Sequence, residues 1–157
     1  MDLSGEYRLP GEREAIWQAL RDPEVLKAAI PGCTEFEKLS ESEFTAKVTA
    51  KVGPIKATFT GMVTLADLTP PASYTIRGEG QGGVAGFAKG RAEVTLDEVP
   101  GGTVLRYNAE AMVGGKLAQI GSRVVRGTVR KLADQFFDNL AERLGGAKLE
   151  VPTEPAA

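Results

Sequence analysis

The sequence contains no histidine. That absence removes the commonest general base, the commonest metal ligand and every Ser-His or Cys-His nucleophile pair. An enzyme built on this chain would have to rely on carboxylates, lysine, tyrosine or the lone cysteine, Cys33. One cysteine forms no internal disulfide, which agrees with a reducing, cytoplasmic setting. No run approaches the roughly 18 apolar residues of a membrane span. The opening MDLSGEYRLP lacks the basic flank and apolar stretch of a secretion signal. There is no basic excess either. With 19 Lys and Arg against 21 Asp and Glu, the net charge is −2, and no footprint for nucleic acid results. Metal-ligand spacing is also missing.

What is present reads as an ordinary globular chain. Its 157 residues suit one domain, its hydrophobic fraction is 42% and its charged fraction 25%. Residues 2–9 set Leu3, Gly5, Tyr7 and Leu9 against Asp2, Ser4, Glu6 and Arg8, which predicts a half-buried strand stopped by Pro10-Gly11. Glu12–Leu20 reads as a short helix. Asp22-Pro23 starts another, with the aspartate as N-cap and the proline in the first turn, and Pro31-Gly32 ends it. From Cys33 to Val113 the period is two, and strands are predicted over Thr34–Leu39, Glu43–Lys51, Ile55–Leu68, Ser73–Gly80, Phe87–Val99 and Thr103–Val113. After Gly114-Gly115 apolar residues step by three or four from Leu117 to Leu144. This predicts one continuous helix of near 28 residues, about 40 Å long.

Short connections force neighbouring strands to be antiparallel, and so long a helix must lie across one face of their sheet. The expected fold class is therefore α+β: a seven-stranded curved antiparallel sheet gripping a long C-terminal helix, with two short helices between strands 1 and 2. Residues 1–144 form the expected domain. The tail, 145–157, has proline and glutamate but no periodicity and is expected to be disordered.

The inner strand faces are unusually small. Gly78, Ala88, Gly90, Ala92, Ala109 and Ala111 cluster there, and the helix offers Gly121 and Gly127. A sheet-on-helix core normally fills this gap with large side chains. Small residues on facing surfaces mean either curvature or space for a ligand. Inward Tyr74 and Tyr107 favour space, since each hydroxyl needs a partner.

Other motifs reduce to structural roles. Gly78-x-Gly80-x-x-Gly83 matches a dinucleotide fingerprint, but that motif must open a helix, and here alternation resumes from Ala88 to Leu96. Cys33, with no histidine to generate a thiolate, reads as a small buried residue at a strand start. Asp22, Asp67, Asp97 and Glu98 stand at turns, and Glu79, Arg91, Glu93, Arg106 and Glu110 face outward. Lys116, Arg123, Arg126, Arg130 and Lys131 give the long helix a basic first half: a solvated face, or a docking surface for anionic headgroups or an acidic partner.

Several stretches together carry a family resemblance: Asp22–Leu26, Ile30-Pro31-Gly32-Cys33, Lys51-Val52-Gly53-Pro54, Gly78-Glu79-Gly80, Ala85–Gly90, Gly114–Arg123 and Lys131–Phe137. In this order, from about residue 1 to 144, the chain resembles the CoxG family, the G-type subunits of carbon monoxide dehydrogenase, within the START-like helix-grip (SRPBCC) superfamily. The resemblance implies a hydrophobic cavity and an accessory, non-catalytic role beside a molybdenum hydroxylase of the carbon monoxide dehydrogenase type. It also implies a quinone- or lipid-like ligand rather than a covalently bound cofactor, and peripheral contact with the inner face of the cytoplasmic membrane. The ligand-lining residues expected are Phe59, Val63, Tyr74, Ile76, Ala88, Gly90, Tyr107 and Ala109. Ile120, Val124 and the 26–33 segment are expected to close the cavity. Two other readings stand beside this one: a scaffold with a vestigial cavity, and a cyclase or hydrolase working through Tyr107 or a glutamate in the pocket.

Overall fold

The computed structural model describes residues 1–145, so the expected disordered tail, Gly145 apart, lies outside the described residues. The chain runs β1 (Asp2–Leu9), α1 (Arg13–Ala19), α2 (Pro23–Ala29), β2 (Cys33–Lys38), β3 (Glu43–Val52), β4 (Ile55–Thr69), β5 (Ser73–Gln81), β6 (Phe87–Val99), β7 (Gly102–Gly114), α3 (Lys116–Ile120) and α4 (Ser122–Arg143). The seven strands form one open antiparallel sheet in the order β1-β7-β6-β5-β4-β3-β2. β1 and β2 are thus opposite edges, and α1 and α2 carry the chain from one to the other. Asp22 caps α2, its carboxylate accepting from the Glu24 amide at 2.9 Å.

The predicted single long helix is two helices. Gly121, at φ 104° and ψ 143°, separates the short α3 from the 22-residue α4. That conformation is open almost only to glycine, so the apolar stripe continues in sequence while the helical backbone does not. At 1.5 Å per residue α4 is still about 33 Å long and crosses the sheet.

The inner face of the sheet has a solid end and a hollow end. At the solid end Trp17, Phe36, Phe44, Leu65, Tyr74, Leu96 and Leu105 pack with Phe137, Leu140 and Ala141 of the C-terminal part of α4. Rings interlock there: Trp17 stands edge-on to Tyr74 with centroids 5.5 Å apart, and Tyr7 stacks on Phe137 at 4.1 Å. Asn139 donates to the Ala29 carbonyl at 3.0 Å and pins α2 to α4. Towards the other end the same face becomes Ala46, Ala50, Gly61, Gly78, Gly80, Ala88, Gly90 and Ala111, all only half-buried. α4 has little there to pack against.

Candidate ligand-binding site

Between these ends lies a cavity of ≈ 420 Å³, within the range of about 300–1,000 Å³ usual for small-molecule sites. Its sheet wall carries Val63, Leu65, Tyr74, Ile76, Ala92 and Ala109, and its helix wall Val129, Leu132, Phe136 and Phe137 of α4. Leu26, Ile30 and Pro31 close one side. A shallower groove of ≈ 320 Å³ adjoins it, sharing Val48 and Val63, and is floored by Gly61, Gly78, Gly80, Ala88 and Gly90 with Phe59 at one side.

The ten residues expected from the sequence are thus divided. Val63, Tyr74, Ile76, Tyr107 and Ala109 line the cavity. Phe59, Ala88 and Gly90 line the adjoining groove instead. Ile120 and Val124 line neither; a Cβ placed on Gly53 would sit 3.3 Å from each, so they pack over the β3–β4 turn at the rim. The break at Gly121 explains this, because one straight helix would have directed its first turns at the sheet. Their place is taken by Val129, Leu132 and Phe136, which lie on the same predicted stripe but further along it.

The only polar side chains on the cavity wall are tyrosines, and no carboxylate lines it among the described residues. Tyr74 is 6% exposed and its hydroxyl has no hydrogen-bond partner among the described residues. Burial pushes its pKa well above the ordinary phenol value. Tyr107 lies across its cross-strand neighbour Gly5, where an added Cβ would be 2.6 Å from the ring. A glycine facing a ring in this way is a recurrent sheet device, and here it fixes where Tyr107 sits. Tyr7, behind it, donates to Asp134 Oδ1 at 2.8 Å and stacks near-parallel to Tyr107 at 6.3 Å. Burial first, then the Asp134 hydrogen bond and the nearness of Tyr107, push the Tyr7 phenol far above its usual pKa.

Cys33 is half-buried with Sγ 3.3 Å from the Glu35 carbonyl, and burial raises its pKa against the smaller opposing effects of that contact and Lys27. The Gly78–Gly83 fingerprint leads through a single 3₁₀ turn, Gly83–Ala85, into β6, so no helix N-terminus follows the glycines. No group of three or more potential metal ligands occurs among the described residues.

The rim at the hollow end is cationic. No carboxylate occurs between Glu43 and Asp67 or between Glu110 and Asp134, whereas Lys51, Lys56, Lys116 and Arg123 all stand exposed there. Val84, in the turn before β6, is 86% exposed.

A family model for CoxG, the G-type subunit of carbon monoxide dehydrogenase, matches residues 5–145. The chain belongs to that family. Among solved structures, a conserved protein from Geobacillus kaustophilus is similar at 29% identity and a TM-score of 0.86, covering 92% of this chain and 95% of its own. A protein of Rhizobium leguminosarum, 17% identical, has a TM-score of 0.68 over 91% of this chain and 95% of its own. One from Thermus thermophilus, 13% identical, reaches 0.67 over 92% and 97%. At such identities the last two speak for the fold alone, an antiparallel sheet gripping a long C-terminal helix. Among curated proteins none matches. In this CoxG member no helix of the described residues is long and apolar enough to cross a membrane.

Proposed function

We propose that this CoxG member is a non-catalytic accessory protein of a molybdenum hydroxylase of the carbon monoxide dehydrogenase type. In this reading it holds an apolar, quinone- or lipid-like molecule between the sheet and α4. The supporting observation is the cavity itself: it has ligand size, and its wall is apolar apart from tyrosines. Val63, Tyr74, Ile76, Tyr107 and Ala109 contact the ligand in the enclosed part. The groove of Phe59, Ala88 and Gly90 takes a protruding tail. Ile120 and Val124 flank the opening. Each methylene removed from water contributes about 0.8 kcal/mol, so a tail of several carbons overcomes the cost of association without a charged anchor. The cationic rim favours contact of the open end with the anionic inner face of the cytoplasmic membrane.

The test is native mass spectrometry of the full chain together with a titration by a decyl-substituted quinone. Retention of the quinone at micromolar concentration is expected; no uptake of quinone or of co-purified lipid would overturn the proposal. A scaffold with a vestigial cavity predicts instead that a plug leaves co-purification with the hydroxylase intact. Ala92→Leu is the plug of choice, because Ala92 stands on the sheet wall of the cavity itself. Loss of quinone with the plug, alongside retained pairing with the hydroxylase, would separate the two roles.

A further inference from the structure

We infer that Tyr74 Oη anchors the polar end of the ligand, so that the cavity takes an uncharged head first, on one hydrogen bond, and leaves the apolar tail towards the hollow end of the sheet. This rests on the ligand reading above and specifies which end of that ligand enters and what its head carries.

Tyr74 is 6% exposed and its hydroxyl has no hydrogen-bond partner among the described residues. The side-chain nitrogens and oxygens that are both sealed off and unpartnered among those residues are Arg8 Nε, Arg13 Nε and Arg21 Nε. Tyr74 Oη is not one of them, so it borders open space, and the open space beside this buried ring is the cavity it lines. A buried hydroxyl without a partner works against the folded state, and phenylalanine would fill the same place at no such cost. A ligand oxygen supplies the missing partner. The hydroxyl both donates and accepts, so it serves a carbonyl or a hydroxyl head.

The sheet register sets the direction of entry. Tyr74, Val94, Tyr107 and Gly5 stand opposite one another on β5, β6, β7 and β1, in one row at the border of the solid end. Tyr107 leans over Gly5, where an added Cβ would lie 2.9 Å from its hydroxyl, so that hydroxyl lies at the edge strand while Tyr74 stands on the central one. The three rows that follow towards the hollow end begin at Ile76, Gly78 and Gly80, and their inner face has no polar side chain on β5, β6 or β7. At about 3.4 Å per residue they reach about 20 Å from Tyr74. The backbones of β5 and β6 are paired on both sides. A head stopped in these rows has no partner, and a tail pushed in first would seal Tyr74 Oη against carbon. No Lys, Arg, Asp or Glu lines the cavity among the described residues. A carboxylate or phosphate head would lose its water there without gaining a counter-charge.

Trp17 reports where the head goes. It is the only tryptophan of the chain and stands edge-on to Tyr74 with centroids 5.5 Å apart, and a quinone ring quenches indole emission at short range. The test titrates the full chain with a decyl-substituted benzoquinone and with decylbenzene, which keeps the tail and has no oxygen. Equilibrium dialysis gives the affinity and Trp17 emission the position. The quinone is expected to quench Trp17. Tyr74→Phe should weaken quinone binding about five- to tenfold, the size of one neutral hydrogen bond, and leave decylbenzene unchanged. Tyr107→Phe should weaken the quinone by less. Urea denaturation of Tyr74→Phe should show no loss of stability, which separates a lost anchor from a lost fold. Dodecanol should bind at least about tenfold more tightly than dodecanoate, whose head is charged. Equal quinone affinity in wild type and Tyr74→Phe, Trp17 emission unchanged at saturation, or dodecanoate held as tightly as dodecanol would overturn the inference and leave the cavity reading standing. If neither the quinone nor decylbenzene binds the wild-type chain, it is the cavity reading that fails.

Discussion

Leu132→Ala and Leu140→Ala are the same chemical change made eight residues, or about 12 Å, apart on α4. Their expected costs differ because the sheet beneath them changes from hollow to solid. Leu140 is 0% exposed and belongs to the packed cluster of Trp17, Phe44, Leu105 and Phe137. Its truncation loses the transfer energy of the removed carbons and leaves a new void, together about 3–5 kcal/mol. Against a total stability of roughly 5–15 kcal/mol this is severe, and at about 2–4 °C per kcal/mol the melting temperature should fall by roughly 6–20 °C. Leu132 already borders the ≈ 420 Å³ cavity and is half-buried. Truncating it enlarges an existing space instead of creating one, so only part of the transfer energy is lost, about 1 kcal/mol. Urea denaturation followed by far-ultraviolet circular dichroism measures both. The ligand titration should rank them in the opposite order, Leu132→Ala weakening quinone uptake while Leu140→Ala spares it in whatever fraction remains folded. If the two variants lose stability equally, within about 1 kcal/mol, the helix packs as tightly at one end as at the other in solution. The distinction between solid and hollow ends would then be wrong.

The paired glycines Gly78 and Gly90 should respond differently to valine: at Gly78 the added Cβ makes only an ordinary contact with the Met62 carbonyl, at 3.9 Å, whereas at Gly90 it meets the Glu110 carbonyl at 2.8 Å. Gly78→Val should therefore hold or gain up to about 1 kcal/mol while Gly90→Val loses stability, as thermal denaturation would show. Gly121→Ala, imposed on φ 104° and ψ 143°, should cost about 1–3 kcal/mol although nothing lies within 4 Å, so a neutral result would mean that α3 and α4 are not held apart by that residue. Tyr7 and Tyr74 both have pKa values raised above the unfolded phenol value of about 10, so the folded chain binds their protons more tightly and stability present below about pH 10 should be lost as pH rises beyond it. Tyr74→Phe, which removes an unpartnered hydroxyl, should be neutral to stabilising at pH 7 and should flatten that alkaline loss in urea titrations; an unchanged alkaline slope would count against burial of the Tyr74 phenol.

The strands are legible because alternation is a local signal. The predicted limits of β1, 2–9, and of β6, Phe87–Val99, match to the residue, and the other strands fall within one residue of theirs. The antiparallel sheet follows from short connections alone. The helix break is not legible, since the three- and four-residue stepping runs through Gly121 unchanged and only its backbone angles end the helix. A continuous helix puts Ile120 and Val124 on the lining, when the cavity meets Val129, Leu132 and Phe136. The Tyr7–Asp134 bond leaves even less trace. Alternation places Tyr7 inward, and an inward phenol needs a partner, but nothing local points to a residue 127 positions away. The inner sheet face can be read from the sequence; what each residue there meets across the gap depends on where α4 begins.

An empty apolar cavity of this size has an energetic consequence. At about 24 cal/mol per Å³ a fully closed void of ≈ 420 Å³ would cost about 10 kcal/mol, and this cavity, open on its groove side, carries only part of that. Water is a poor occupant, because a buried water requires two to four polar partners and this wall offers only tyrosine hydroxyls and backbone. The fold meets this by concentrating its large side chains elsewhere: Trp17, Phe36, Phe44 and Phe137 with the leucines around them form a cluster that does not depend on what fills the cavity. Around the hollow end the sheet is floored by glycine and alanine, residues that contribute little to packing and leave room. Small residues serving only sheet curvature would not need a compensating cluster at the other end of the same helix. On the proposed reading the same chain must persist both loaded and empty, and a packed cluster that does not depend on the cavity meets that requirement.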